Sequence, residues 1–272
     1  LNHSSTLDEK TFRRFAELIY REAGIYLAEN KKALVSARLG KRMLALGLRS
    51  YNEYYEYVQN DRSLNEIGVL IDAISTNVTH FFRESDHFPL LAEIVQRWES
   101  EGQRRFRIWC AASSSGEEPY TIALTLAESM TQMRDTKILA TDISNTVLQI
   151  ARQGAYSSKQ LNAVPAHLIR KYFFPIESEG VPHYQVIPQL REKLQFSWLN
   201  LSAPPFPMKG PLDVVFCRNV MIYFDNNVRQ KLVDEICRLL KPGGYLMIGH
   251  AESLSGLAHD LRPVRPSVYC RK

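Results

Sequence analysis

Two adjacent carboxylates and a proline, Glu117, Glu118 and Pro119, close a run of small residues, Ala111 to Gly116, that follows an apolar stretch containing Phe106, Ile108 and Cys110. Small side chains let a backbone approach a ligand closely, and proline suits the first turn of a helix. Phe106 to Ala123 therefore predicts a strand, a ligand loop and a helix start. Lys137 to Thr141 reads as a second strand, and Asp142 at its end stands where an acidic side chain takes a ribose hydroxyl pair. Two further strand ends carry polar groups. Leu194 to Trp198 leads to Asn200 and Leu201, and the almost wholly apolar Asp213 to Cys217 delivers Arg218, Asn219 and then Tyr223. Ligands of open α/β sheets bind at such carboxyl ends, although an Arg-Asn pair there can equally do no more than end a strand.

The loop narrows the ligand. A dinucleotide fingerprint uses three glycines, whereas this loop has only Gly116 and sets Glu117 and Glu118 where a pyrophosphate would sit. Their charge repels phosphate. S-adenosylmethionine carries a ribose and an adenine without phosphate, and its ammonium and sulfonium are cationic, so the carboxylates become favourable. The run Leu239 to Ile248 (L-L-K-P-G-G-Y-L-M-I) resembles the helix, turn and late strand of class I methyltransferases, although Pro and Gly end helices in every fold.

At 272 residues the chain can bury one large core or two. It has no apolar run of membrane-spanning length and no secretion signal, which predicts a cytoplasmic protein without direct membrane insertion; an initiating Met is expected before Leu1. The four cysteines, Cys110, Cys217, Cys237 and Cys270, lack metal-ligand spacing and read as buried thiols, so no metal is expected.

Three regions must position these residues. Residues 1–75 read as helical, with Thr6 as an N-cap and Glu9 three residues on, and with Phe12, Phe15, Leu18 and Ile19 at helical spacing. Glycines 24, 40, 47 and 68 fall near expected helix ends. A second helical stretch, Leu70 to Phe82, leads through Arg83 and Pro89 into a helix from Leu90 to Trp98, making 76–90 a linker helix. From 91 to 272 helices and strands alternate as in a mostly parallel, doubly covered α/β sheet. Within 156–193, four prolines and two short strand patterns, Tyr172 to Ile176 and His183 to Ile187, predict an inserted antiparallel β subdomain.

Five motifs in order now carry a family resemblance: T-N-V-T-H-F-F-R-E (Thr76 to Glu84), A-A-S-S-S-G-E-E-P-Y (Ala111 to Tyr120), A-T-D-I-S (Ala140 to Ser144), F-C-R-N-V-M-I-Y-F (Phe216 to Phe224) and L-L-K-P-G-G-Y-L (Leu239 to Leu246). Together they resemble CheR, the chemotaxis receptor glutamate methyltransferase, over nearly the whole chain. The resemblance implies a class I, Rossmann-like S-adenosylmethionine-dependent methyltransferase with a small all-α N-terminal domain. Its expected activity is protein-glutamate O-methylation of membrane chemoreceptors, releasing S-adenosylhomocysteine. It implies that Asn77, Thr79 and Arg83 lie along the cofactor, Glu117 near its amino group, Asp142 on the ribose, and Asn200 and Leu201 about the adenine. Arg218 and Asn219 would close the site, with Arg83 and Tyr223 nearest the reacting methyl.

The chemistry fits these assignments. A glutamate is already ionised at neutral pH, so its attack on a sulfonium methyl needs no general base; the seven histidines are scattered, and His80 and His250 read as structural or solvated. Neutralisation of charge in the transition state favours a site that excludes water, and alignment supplies the rest.

Between Lys31 and Arg49 the chain holds six basic residues and no acidic one. Lys31, Arg38 and Arg42, with Lys41 nearby, would form a basic helix face suited to the glutamate-rich cytoplasmic helices of receptors, or else a solvated face. RNA is a second acidic partner, but a net charge of +5 without aromatic-basic interleaving argues against nucleic acid. The resemblance further implies that the β subdomain can hold a receptor's C-terminal pentapeptide by strand addition. Methylation of RNA or a small molecule, and a non-catalytic cofactor-binding adaptor, are the alternative readings.

Overall fold

The computed structural model describes residues 6–63, 65–178 and 180–272. Helix α1 (Glu9–Ala23) starts where Asp8 accepts the Thr11 amide at 2.8 Å and its hydroxyl at 2.7 Å. The expected cap at Thr6 is thus corrected. A cap must reach amides two or three residues on, and a helix beginning at Glu9 offers those to residue 8. Glu9 instead pairs with Lys32 at 3.0 Å. Phe12, Phe15, Leu18 and Ile19 form the buried stripe their spacing predicts, packed with α2 (Lys32–Ala45), α3 (Tyr51–Asn60) and α4 (Asn65–Ile74) into a core separate from that of the sheet.

Gly24 caps α1 with φ +68°, and a Cβ there would lie 2.3 Å from the Ser202 Cβ. Gly47 follows α2, whereas Gly40 and Gly68 lie inside helices and not at their ends. A Cβ on Gly40 would lie 3.1 Å from the Tyr51 hydroxyl, so the missing side chain is rewarded with close packing.

The linker is not a helix, which corrects a second expectation. α4 stops at Ile74, where Arg38 donates to the carbonyls of Ile74 and Ser75. Residues 75–86 then run through extended backbone and turns, until α5 (His87–Ser100) begins with Pro89 in its first turn. Thr76, Asn77, Val78 and Thr79 are poor helix formers, and the engaged carbonyls make a clean stop.

Strands β1 (Arg105–Cys110) and β2 (Asp135–Asp142) flank α6 (Glu117–Ser129), and α7 (Asn145–Gln153) follows β2. The chain then enters the insertion: β3 (Ala155–Ser157), α8 (Ala166–Tyr172), β4 (Phe173–Ser178), β5 (Val181–Val186) and the single turn α9 (Pro188–Arg191). It returns through β6 (Leu194–Trp198), β7 (Leu212–Cys217), α10 (Asn226–Leu239), β8 (Leu240–Ile248), β9 (Leu261–Arg265) and β10 (Val268–Arg271). The main sheet has seven strands in the order β6-β2-β1-β7-β8-β10-β9. β6 to β8 run parallel, and β10 and β9 add an antiparallel edge. Period-2 alternation divides the core. Ile108, Cys110, Val214 and Phe216 face α5 and α6, while Trp109, Val215 and Cys217 face α10. From β1 the chain builds outward to β2 and β6, then returns to β7 on the other side, so the topological switch lies between β1 and β7.

The antiparallel subdomain, ordered β3-β5-β4, is anchored by Tyr156, which is fully buried and stacks edge-on against Phe81 with centroids 4.9 Å apart. The Tyr156 hydroxyl donates to the Ser115 carbonyl at 2.9 Å, and a Cβ on Gly116 would sit 2.6 Å from that hydroxyl. The insertion therefore buttresses the loop after β1, and Gly116 (φ +100°) is where that contact requires a missing side chain.

Candidate active site

A cavity opens at the carboxyl ends of β1, β2, β6 and β7, beside the switch point. The loop after β1 is held from both neighbours: Ala111 N–H donates to the Phe216 carbonyl at 2.8 Å and Ser113 N–H to the Thr141 carbonyl at 2.9 Å. Ser114 N–H donates to Asp142 at 2.8 Å and its hydroxyl reaches the Asn77 carbonyl at 3.1 Å, joining loop to linker. Ser144 N–H takes the other Asp142 oxygen at 3.0 Å. Burial pushes the Asp142 carboxyl up from its ordinary range, partly offset by those amides. Its remaining lone pairs face a cavity whose floor, at Ala111 and Ala112, has no bulk.

The deepest electrostatic element is Arg218, whose side chain is wholly buried. It donates to Glu118 at 2.7 Å, to Glu84 at 3.1 Å, and to the Arg83 carbonyl. Glu84 also accepts the Asn219 side-chain amide at 3.0 Å and the His250 N–H at 3.1 Å. Two carboxylates share one guanidinium in a poorly solvated place, with Arg83 lining the same cavity. Burial pushes Glu118 up, only partly offset by Arg218. At Glu84 burial is outweighed by the Asn219 hydrogen bond and the Arg218 charge, which together pull its pKa down. Glu118 keeps the shorter contact to Arg218 and also lines the cavity.

Backbone strain concentrates here. Phe82 (φ 56°) and Glu84 (φ 50°) flank Arg83 in left-handed conformations, and Ser114 (φ 46°) and Asn219 (φ 57°) do the same across the cavity. Each is over-determined. Phe82 N–H is held by Thr121 at 3.2 Å, Glu84 by its hub of bonds, and Asn219 N–H by Glu252 at 2.8 Å. His87, which opens α5, is buried beside Arg218; burial and then that charge push its pKa down to about 4.

The structure brings Asn77, Thr79, Arg83, Asp142, Asn200, Leu201, Arg218, Asn219 and Tyr223 together around this one cavity. Glu117 is the exception. It accepts from Ser115 at 2.7 Å and Gln160 at 3.4 Å and does not line the cavity, whereas Glu118 does. Consecutive residues on a helix point about 100° apart, so the start of α6 at Glu117 decides which carboxylate turns inward. Asn200 spends its side chain on structure, donating to the Glu22 carbonyl at 2.7 Å and accepting from Ser202 at 2.9 Å. Of the four cations expected to meet a partner, Lys31 is exposed and lines the cavity, and Lys41 is exposed. Arg42 forks onto buried Glu66 at 2.8 and 2.6 Å, and Arg38 caps α4. Glu84 and Glu118 both fall inside motifs read from the sequence, but their pairing with Arg218 is not legible there: one is the acid after Arg83, the other one half of an adjacent pair.

Comparison with known proteins settles the family. Residues 77–270 match the model described as "CheR methyltransferase, SAM binding domain", and residues 10–75 that described as "CheR methyltransferase, all-alpha domain". The chain belongs to the CheR methyltransferase family. It is 40% identical to chemotaxis protein methyltransferase 2 of Pseudomonas aeruginosa over 95% of this chain and 91% of that protein. It is 39% identical to the chemotaxis protein methyltransferase of Escherichia coli over 92% and 87%. As a CheR methyltransferase it uses S-adenosylmethionine (SAM), and the cavity lining offers that cationic molecule two carboxylates, Glu118 and Asp142. The resemblance read from the five motifs is borne out, as is the fold class. Among the described residues no helix is long and apolar enough to cross a membrane.

Burial raises the Glu118 pKa and a cation beside it favours the ionised form, so an S-adenosylmethionine ammonium seated there should release a proton from it. Calorimetric titration should show affinity falling as pH drops through that raised pKa, approaching tenfold per unit below it, and Glu118→Gln should flatten the profile. Glu84→Ala removes charge-assisted bonds from buried Arg218 and frees the strained turn. Urea unfolding should show a loss of about 2–3 kcal/mol, with Glu84→Gln retaining part of it.

Proposed function

We propose that this CheR methyltransferase moves the methyl group of S-adenosylmethionine onto glutamate side chains of the cytoplasmic helices of chemoreceptors, leaving glutamyl methyl esters and S-adenosylhomocysteine. The observation that carries this reading is the placement of Arg83 and Tyr223 on the lining of a cavity whose inner groups are Glu118 and Asp142. The cofactor supplies an electrophilic methyl on a sulfonium. The chain's own residues supply position. Glu118 and Asp142 hold the amino-acid and ribose ends; Asn77, Thr79 and Leu201 wall the cavity, and Asn200 fixes the loop about the adenine end. The Arg83 guanidinium, braced by a bond to the Val78 carbonyl at 2.9 Å, receives the acceptor carboxylate and aims one oxygen along the line of displacement. Tyr223 offers its hydroxyl beside it.

The acceptor arrives ionised, so no group of the enzyme removes a proton, and among the described residues the cavity lining includes no histidine or cysteine. Carboxylate and sulfonium neutralise one another as the bond forms, which a half-enclosed cavity favours over water. Lys31 and Lys41 supply an exposed positive surface toward an acidic helix, and the same Lys31 reaches the cavity. The enzyme acts on the cytoplasmic side of receptor arrays.

The β subdomain offers a second attachment. β4 pairs with β5 along one edge and is terminal in its sheet, with Phe174 exposed, so an extended receptor tail can add as a further strand. Such a tether raises the local concentration of acceptor without touching the active site.

Transfer of labelled methyl to chemoreceptor-containing membranes should yield label that mild alkali releases as volatile methanol, and Arg83→Ala should lower kcat/KM by about 10²-fold. Alkali-stable label would point to nitrogen acceptors and sink the ester. Removing the last five residues of a tail-bearing receptor should raise KM for the receptor while transfer to an excised methylation helix stays the same; equal loss on both substrates would count against tail docking.

A further inference from the structure

Among the described residues eleven large apolar side chains are exposed, and three of them line the one cavity. They are Tyr26 (62% exposed), Leu34 and Val78 (74%), and the Tyr26 N–H donates at 2.9 Å to the carbonyl of Tyr223, which lines the cavity too. The three come from separate segments: the stretch after α1, helix α2 and the linker. Contiguous apolar surface around a polar site marks a recognition surface more often than chance. Ordinary solvated side chains would be expected here, since nothing in the fold needs apolar groups outside the core.

The cofactor does not account for this collar. Its charged and hydroxylic parts are met inside by Glu118 and Asp142, whereas these side chains stand outward at the rim, and the cations set among them are Lys31 and Arg83. An apolar ring around a guanidinium, with an exposed ammonium to one side, complements a segment that bears one carboxylate at its centre, uncharged side chains about it, and further acidity to one side. On a helix the residues three and four away from a central position share its face, about 5–6 Å off, and would land on the collar when the central side chain enters.

We infer that Tyr26, Leu34 and Val78 form an apolar collar that grips uncharged side chains one helical turn from the acceptor glutamate, so that the enzyme reads the neighbours of its target as well as the target. This rests on the glutamyl reading above and adds to it a basis for choosing among glutamates. Those flanked by charge at one turn are passed over, because seating them would bury an ion against Leu34 or Val78.

The test introduces charge into the rim. Tyr26→Asp and Leu34→Asp are assayed for methyl transfer to receptor membranes, with S-adenosylmethionine affinity by calorimetry as a check that each variant is folded; Leu34→Met serves as the conservative control. The expected result is a rise in receptor KM of about tenfold or more for each aspartate, with kcat and cofactor affinity held and Leu34→Met close to wild type. An unchanged KM in both aspartate variants would overturn the collar. So would a matching loss of cofactor affinity, which would assign these residues to the cofactor pocket, or a wild-type dimer in light scattering that the variants dissociate, which would make the rim a self-association surface. Alkali-labile transfer by the wild type with no KM effect defeats the collar alone; no transfer by the wild type defeats the glutamyl reading and the collar with it.

Discussion

A single guanidinium organises this protein. Arg218 leaves the end of β7, lies wholly buried, and divides itself between Glu84 from the linker and Glu118 from α6, with the Arg83 carbonyl as a third acceptor. Desolvating an arginine is costly unless every donor is met, so three chain segments distant in sequence are obliged to converge on it. That convergence sets the left-handed turn that carries Arg83, fixes Asn219 through the same Glu84, and turns Glu118 toward the cavity. The electrostatics follow: two carboxylates are held beside one buried guanidinium, and burial raises Glu118 while the bonds from Asn219 and Arg218 lower Glu84.

Much of this was legible in the residues because it rests on periodicity and on small side chains. The alternation in Phe106 to Cys110, the run Ala111 to Gly116, and Asp142 at a strand end each follow from what a parallel sheet and a nucleoside demand. Other features were not, for identifiable reasons. The inward carboxylate is Glu118 and not Glu117 because one residue of helix phase separates them, and phase depends on where α6 begins. The linker reads as helix by its apolar spacing, yet Arg38, thirty-odd positions away, takes its carbonyls; no local pattern reports a tertiary cap. The basic run of α2 likewise conceals that Arg42 is spoken for by Glu66, a partner on another helix.

The accessory parts are less peripheral than their place in the chain suggests. The inserted sheet braces the ligand loop through Tyr156, and the helical domain supplies Tyr26 and Lys31 to the mouth and takes Asn200 onto the Glu22 carbonyl. Contacts such as Tyr20 to Asp225 at 2.7 Å and Thr146 to Asp72 at 2.6 Å run along the same seam. The helical domain and the catalytic sheet therefore share the walls of the cavity.

The contact between Gly24 and Ser202 carries a consequence for descent. One atom added to the helical domain would strike the loop after β6, and a bulkier residue in that loop would strike the cap of α1. The two halves of the chain are therefore not interchangeable modules. A recombined gene that joined the helical half of one relative to the catalytic half of another would have to inherit both sides of that contact together, which favours variation by substitution within an intact chain over exchange of domains.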